Sequence, residues 1–467
     1  MSFYLDILNN EFLFVLIFFS VVFAFFLLTG LSKSFKNWKT GILFIILLIY
    51  FEDLLRKIIP GQPYQVLVLK DILVFVVYCA FLFFIRKEII FKPKFLFPAI
   101  LFGAWCIVEI FNPNSPSLWF PLVGIRTYLW YLPLIFLGYY MFSDKKKLIK
   151  FCQVLIYTAI PLAVIAILQY SFFYVLPPEF SQPLQTGHEI HYFGNEKIKL
   201  IPSIFGSAER FASISFFLFL LGLGLLLFYK DYSKFRKFFL IISIISAFLS
   251  IFISGRRTPL YFSLACFLIF FIFYFRNKLM GKISRKKIII TGVILLIFFA
   301  ALFFIFQDTA KFFAGSLPSI INRLILSIKE VIFSAETAGL WGSGVGTRSQ
   351  GLHYIPGGEN WYNQNIANQQ FGIESGIGKV LAELGFIGLI LFLVFYGKMI
   401  FSWFSELKVL KNTELYSVGF SIVLYLLFVM VWFLKGHQIL GDSTTLFLFW
   451  FFMGILFNLK NISNGQK

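Results

Sequence analysis

Residues 240–273 read LIISIISAFLSIFISGRRTPLYFSLACFLIFFIF. Two apolar runs meet at Ser254, Gly255, Arg256 and Arg257. With its flanking residues, each run is long enough to cross a bilayer, which takes about 20 apolar residues per helix. The stretch therefore reads as a helix pair whose tight turn carries two permanent positive charges. Gly255 suits a left-handed residue ending the incoming helix. Thr258 suits an N-cap and Pro259 the first position of the outgoing helix.

The same pattern extends through all 467 residues, of which 59% are hydrophobic and 67 are phenylalanine. Only 13% are charged, against about 25% in soluble domains. Thirteen candidate spans lie near 11–30, 40–56, 66–85, 95–111, 128–142, 148–176, 211–229, 235–253, 259–275, 288–306, 376–397, 415–434 and 443–458. The second and fifth are short, so the expectation is an all-α polytopic membrane protein with 12–13 transmembrane helices. It forms one integral-membrane domain over 1–467, without a soluble domain, linker or repeat. The first run has acidic residues before it and no small-residue cleavage site, so it does not read as a signal peptide.

A net charge of +19 raises nucleic-acid binding, but the placement of the charge argues against it. Twenty-six of the 41 Lys and Arg fall in seven short segments, at 33–39, 86–94, 145–150, 230–237, 276–287, 398–411 and 460–467. This is the positive-inside pattern. It puts the amino end outside, the carboxyl end inside, and two long loops, 177–210 and 308–375, outside. Cys79, Cys106, Cys152 and Cys266 lie in apolar runs, with neither disulfide nor metal spacing.

By this topology Arg256 and Arg257 sit at the outer mouth of their helix pair. A helix N-terminus favours an anion, and two guanidinium forks suit a phosphate or pyrophosphate. Snorkelling to lipid headgroups is the competing reading. Arg126, in GIRTYLWYLPL, and Arg210, in IFGSAERFASISFF, stand at the outer starts of other spans and are open to the same two readings. Residues 317–336 have helical apolar spacing, with Asn322, Arg323, Ser327 and Glu330 on the other side. That segment is an amphipathic surface helix, covering a lipid-facing site or packing on the bundle. GLWGSGVGTRSQ reads as a flexible turn.

His188 and His191 lack zinc-protease spacing, and His353, in a polar loop, is either solvated or a base. Lys379 and Glu383 can pair across one helical turn. Glu374, at the mouth of its span, is either a general base or a helix cap. Lys70 and Asp71 can pair with each other or line a path.

Several of these segments, in order, resemble the bacterial O-antigen ligase and polymerase superfamily. LSIFISGRRTPL resembles its SGSR segment. INRLILSIKEVIFSAETAGLWGSGVGT resembles the segment running from an Arg to a Gly-x-Gly turn. ESGIGKVLAELGFIGLILFL resembles the segment bearing a histidine–asparagine pair and E-l-G, and GIRTYLWYLPLIFLGYY resembles an early Arg-containing helix. The similarity covers roughly 120–455.

The resemblance implies a C-type membrane glycosyltransferase architecture in the bacterial cytoplasmic membrane, with its active site facing outward. It implies an undecaprenyl-pyrophosphate-linked glycan as substrate and neither metal nor nucleotide cofactor. Membrane lipids, and a chain-length regulator or other polysaccharide-assembly proteins, are the implied partners, and nucleic acid is not. Arg256, Arg257, Arg126 and Arg210 become the diphosphate-binding set, with Arg323 and His353 as secondary candidates. Where the ligases place their histidine base this chain has Glu374, and Ser375 replaces the asparagine. That departure favours a polymerase of lipid-linked repeat units with Glu374 as catalytic base. The alternatives are a ligase transferring finished glycan to lipid A-core or another acceptor, and a lipid-glycan flippase or transporter.

Overall fold

The computed structural model describes residues 29–59, 65–84, 91–181, 183–184, 190–193, 196–228, 233–276, 304, 311, 313, 318–349, 351–352, 355, 357–362, 374–411 and 413–465. Helices α1 (Trp38–Ile58) and α2 (Gln65–Phe84) form the first hairpin. After α3 (Leu96–Val108), α4 (Trp119–Ile125) runs through a wide π-type turn at Arg126–Trp130 into α5 (Leu134–Met141). Helices α6 (Lys145–Tyr157) and α7 (Ala159–Ser171) make one bent span. A small antiparallel hairpin follows, β1 (Ile190–Phe193) with β2 (Glu196–Lys199), Ile190 facing Lys199. Then come α8 (Ala208–Phe228), α9 (Lys234–Ile253) and α10 (Arg257–Arg276). The long helices described beyond these are α11 (Pro318–Ala338), α12 (Gly376–Leu410), α13 (Tyr416–Lys435) and α14 (Ser443–Asn464).

Among the described residues, 7 helices are long and apolar enough to cross a membrane. The chain is an all-α polytopic membrane protein. The expected span near 288–306 and most of that near 11–30 lie outside the described residues.

Outward faces are apolar: Ile72, Phe75 and Phe83 on α2 and Ile390, Leu393 and Phe401 on α12 are exposed. In water such a belt would be a liability, whereas lipid solvates it. The centre is α14, buried along nearly its whole length. It lies so close to α5 that a Cβ at Gly138 would stand 2.0 Å from the Phe451 carbonyl, and one at Gly454 would stand 2.1 Å from that of Ile135. Small residues permit this approach between membrane helices.

Helix α12 breaks at Gly385, whose φ of 67 and ψ of −171 only glycine adopts readily. The break frees backbone groups that lipid cannot satisfy, and the GSGVG loop and α3 satisfy them. Ser343 N–H donates to Ala382 O (2.9 Å), Gly344 N–H to Glu383 O (3.0 Å) and Trp105 Nε1–H to Leu384 O (3.0 Å). Gly342, Gly344 and Gly346 all have positive φ, and a Cβ at Gly346 would meet the Phe120 carbonyl at 2.1 Å. The expected flexible turn is instead a packed clamp, with Val345 and Thr347 fully buried.

Candidate functional site

Ion pairs gather the helix ends opposite the basic loops. The turn between α9 and α10 begins as its glycine requires, with Gly255 at φ +74. The outgoing helix starts at Arg257, so Thr258 lies in the first turn rather than capping it, and Ser254 Oγ accepts from the Arg256 N–H at 3.2 Å. A Cβ at Gly255 would stand 2.9 Å from the Lys199 carbonyl, so the β-hairpin lies against this turn.

Around the turn is a cationic patch. Arg256 pairs with Glu209 at the start of α8 (2.7 Å). Lys435, ending α13, donates to Thr258 Oγ1 at 3.0 Å. Arg256, Arg257 and Arg323 all act electrostatically on Lys435, and Glu374 opposes them. The structure therefore brings Arg256, Arg257, Arg323 and Glu374 together and adds Lys435, which belongs to no motif in the sequence.

Arg323 pairs directly with Glu374 at 2.5 Å, and both are nearly half exposed. Glu374 thus has a partner 51 residues away, beyond the reach of local sequence reasoning. It does not cap α12: Ser375 does, accepting from Gly378 N–H at 3.3 Å. Glu330 of α11 accepts from the N–H groups of Glu374 (3.0 Å) and Ser375 (2.6 Å), fixing the carboxylate's backbone. Burial pushes the Glu330 carboxyl up, and these two N–H groups pull it back. His437 is buried beside the same backbone, its own N–H donating to Glu374 O at 2.7 Å and its Nδ1 lying 3.1 Å from that oxygen. Only a donor suits a carbonyl, so that contact favours the Nδ1–H tautomer. A single His between a glycine and a glutamine gave no sequence signal.

Helix α11 covers this patch with reversed polarity. Arg323, Ser327, Glu330 and Ser334 turn inward, while Leu324, Ile328 and Ile332 are exposed. Such a helix is stable where its outer face meets hydrocarbon.

Arg126 and Arg210 direct their guanidinium groups to a neighbouring network. Arg210 bonds Asp442 (2.7 Å), Glu52 (3.4 Å) and Asp53, and is only 11% exposed. Lys70 pairs with Glu52, and Arg56 with Asp53 at 3.2 Å. Arg126 pairs with Asp71 at 2.7 Å, and Tyr131 also donates to Asp71. Lys70 and Asp71 therefore serve different partners rather than each other.

The Lys379–Glu383 pair forms at 3.8 Å, fully buried. Glu383 also accepts from Tyr128 Oη (2.8 Å) and Arg348 N–H (2.8 Å), binding the π-type turn after α4, α12 and the glycine clamp together. His353 lies outside the described residues.

No curated protein matches the chain. Residues 241–393, from α9 into α12, match the family described as O-antigen ligase, and this match supports the resemblance to the O-antigen ligase and polymerase superfamily.

Proposed function

We propose that this membrane glycan-processing enzyme polymerises undecaprenyl-pyrophosphate-linked repeat units at the outer face of the cytoplasmic membrane. One observation carries the reading: Arg256, Arg257 and Arg323 share one cationic patch with Lys435 beneath a lipid-facing helix, and the half-exposed carboxylate Glu374 lies in it, paired with Arg323, while Arg256 pairs with Glu209. The cations suit a diphosphate and the carboxylate suits an acceptor hydroxyl.

In this mechanism the lipid diphosphate enters from the outer leaflet under α11. Arg256 and Arg257 receive its charge. An exposed ion pair contributes only about 0–1 kcal/mol, so the diphosphate readily draws Arg323 away from Glu374. The freed carboxylate takes the proton from an acceptor sugar hydroxyl. The acceptor oxygen bonds the donor's anomeric carbon while the bond from that carbon to the diphosphate oxygen breaks. The lipid diphosphate leaves with its new charge held by the arginines, so no nucleotide or metal enters the scheme. Arg126 and Arg210 support the site from the adjoining network.

A ligase is the second reading. The matched family's description favours it, as does His437 held against Glu374, a histidine near the place where the resemblance puts the ligase base.

Purified protein supplied with a short lipid-pyrophosphate-linked repeat unit is expected to give a ladder on a sizing gel. Arg257→Ala is expected to lower the rate about 10²–10³-fold, the usual loss for one preorganised donor. Transfer only to added lipid A-core would favour the ligase. Full activity of the folded variant would remove the diphosphate role.

A further inference from the structure

A second basic site lies on the opposite face. Helices α6 and α9 enclose a cleft of about 780 Å³. Lys146, Lys150 and Tyr157 line it along one stripe of α6, and Phe235, Arg236 and Phe239 along α9. The two elements begin at their capped N-terminal ends, Asp144 and Ser233, so the cations cluster at the mouth and Tyr157 lies deeper. Phe235 and Phe239 pack at 4.7 Å and Tyr157 meets Phe239 edge-on at 6.4 Å, giving the cleft an aromatic wall. Phe235 is 71% exposed. Lys145 next door has Glu414 as a partner. Among the described residues, no carboxylate stands within salt-bridge reach of Lys146, Lys150 or Arg236.

Three cations at the rim of an apolar cleft, on the face where basic loops gather, match an anionic headgroup with acyl chains below it. We propose that this cleft binds an anionic glycerophospholipid of the cytoplasmic leaflet. The lipid's phosphate lies among Lys146, Lys150 and Arg236, and its chains lie against Tyr157, Phe235 and Phe239. The site is separate from the glycan-processing patch and does not depend on the reading given for it.

The test titrates the full-length detergent-purified protein with short-chain phosphatidylglycerol or phosphatidylcholine and follows its melting temperature. Phosphatidylglycerol is expected to stabilise it saturably and phosphatidylcholine not to. Each cation near an anionic surface contributes about fivefold in affinity. The triple variant Lys146→Ala/Lys150→Ala/Arg236→Ala should therefore bind on the order of a hundredfold more weakly. A control, Lys33→Ala/Lys36→Ala, removes basic-loop charge elsewhere and should keep the response. Equal stabilisation by both lipids, an undiminished response in the triple variant, or an equal loss in the control would each overturn the proposal. Should the triple variant fail to fold, photo-crosslinking of a phosphatidylglycerol probe to the unaltered protein decides. Labelling of residues 146–157 and 235–239 supports the site, and labelling confined to other segments rejects it.

Discussion

At the residue scale, the contact between Arg323 and Glu374 separates two roles that one variant would confuse. If Arg323 passes to the diphosphate and Glu374 takes the proton, each single change removes a step. Glu374→Gln is expected to lower turnover about 10²–10⁴-fold, the range for general-base loss, with little change in melting temperature because the pair is exposed. Arg323→Ala should raise KM for the lipid-linked donor as well as slow the reaction. Kinetics of both variants and the double variant check this. A Glu374→Gln enzyme as fast as the parent would return proton transfer to another group, with His437 foremost. Arg256, Arg257 and Glu374 stood out in the sequence because charge beside apolar runs is conspicuous. Lys435 and His437 did not, since only packing brings α13 against the turn at Gly255.

Elements obeyed hydrophobic periodicity closely: α1, α9, α13 and the surface helix α11 lie within two residues of their expected bounds. The break in α12 was invisible, because apolar composition runs straight through Gly385 and the backbone angle leaves no mark in hydropathy. It has a direct test. Gly385→Ala forces a side chain into a glycine-only conformation, with a Cβ 2.1 Å from the Leu340 carbonyl. Strain of about 1–3 kcal/mol is expected from the backbone alone. Thermal melting in detergent should show a clear loss. Gly397→Ala, on the same helix with nothing within 4 Å of its Cβ, should melt like the parent.

Across the whole molecule, the alternation of basic and non-basic loops laid out the two faces, and the ion pairs among helix ends follow that layout. The destiny of Arg210 could not be read in advance, because its acidic partners come from helices far apart in sequence. Removing it should harm assembly before chemistry. Arg210→Ala takes the shared cation from Asp53, Glu52 and Asp442, leaving Glu52 to Lys70 and Asp53 to Arg56 and Asp442 without the guanidinium that binds it, and breaking such a network by one partner costs about 3–5 kcal/mol. Size-exclusion chromatography should show loss of the monodisperse peak, with or without substrate. A well-folded but inactive Arg210→Ala protein would instead assign the residue to the reaction.

That network also bears on how the chain is made. Glu52, Asp53, Lys70 and Asp71 all belong to the first hairpin, but Arg210 comes 157 residues after Asp53, and Asp442 a further 232 after Arg210. During synthesis the early helices must therefore wait, carrying charges that a bilayer tolerates poorly, until much later helices leave the ribosome. A chain stalled before α14 would lack both the central helix and the carboxylate that completes this network. Cellular quality control would meet it as an unfinished polypeptide with exposed intramembrane charge, and its turnover should be governed by translation time as much as by thermodynamic stability.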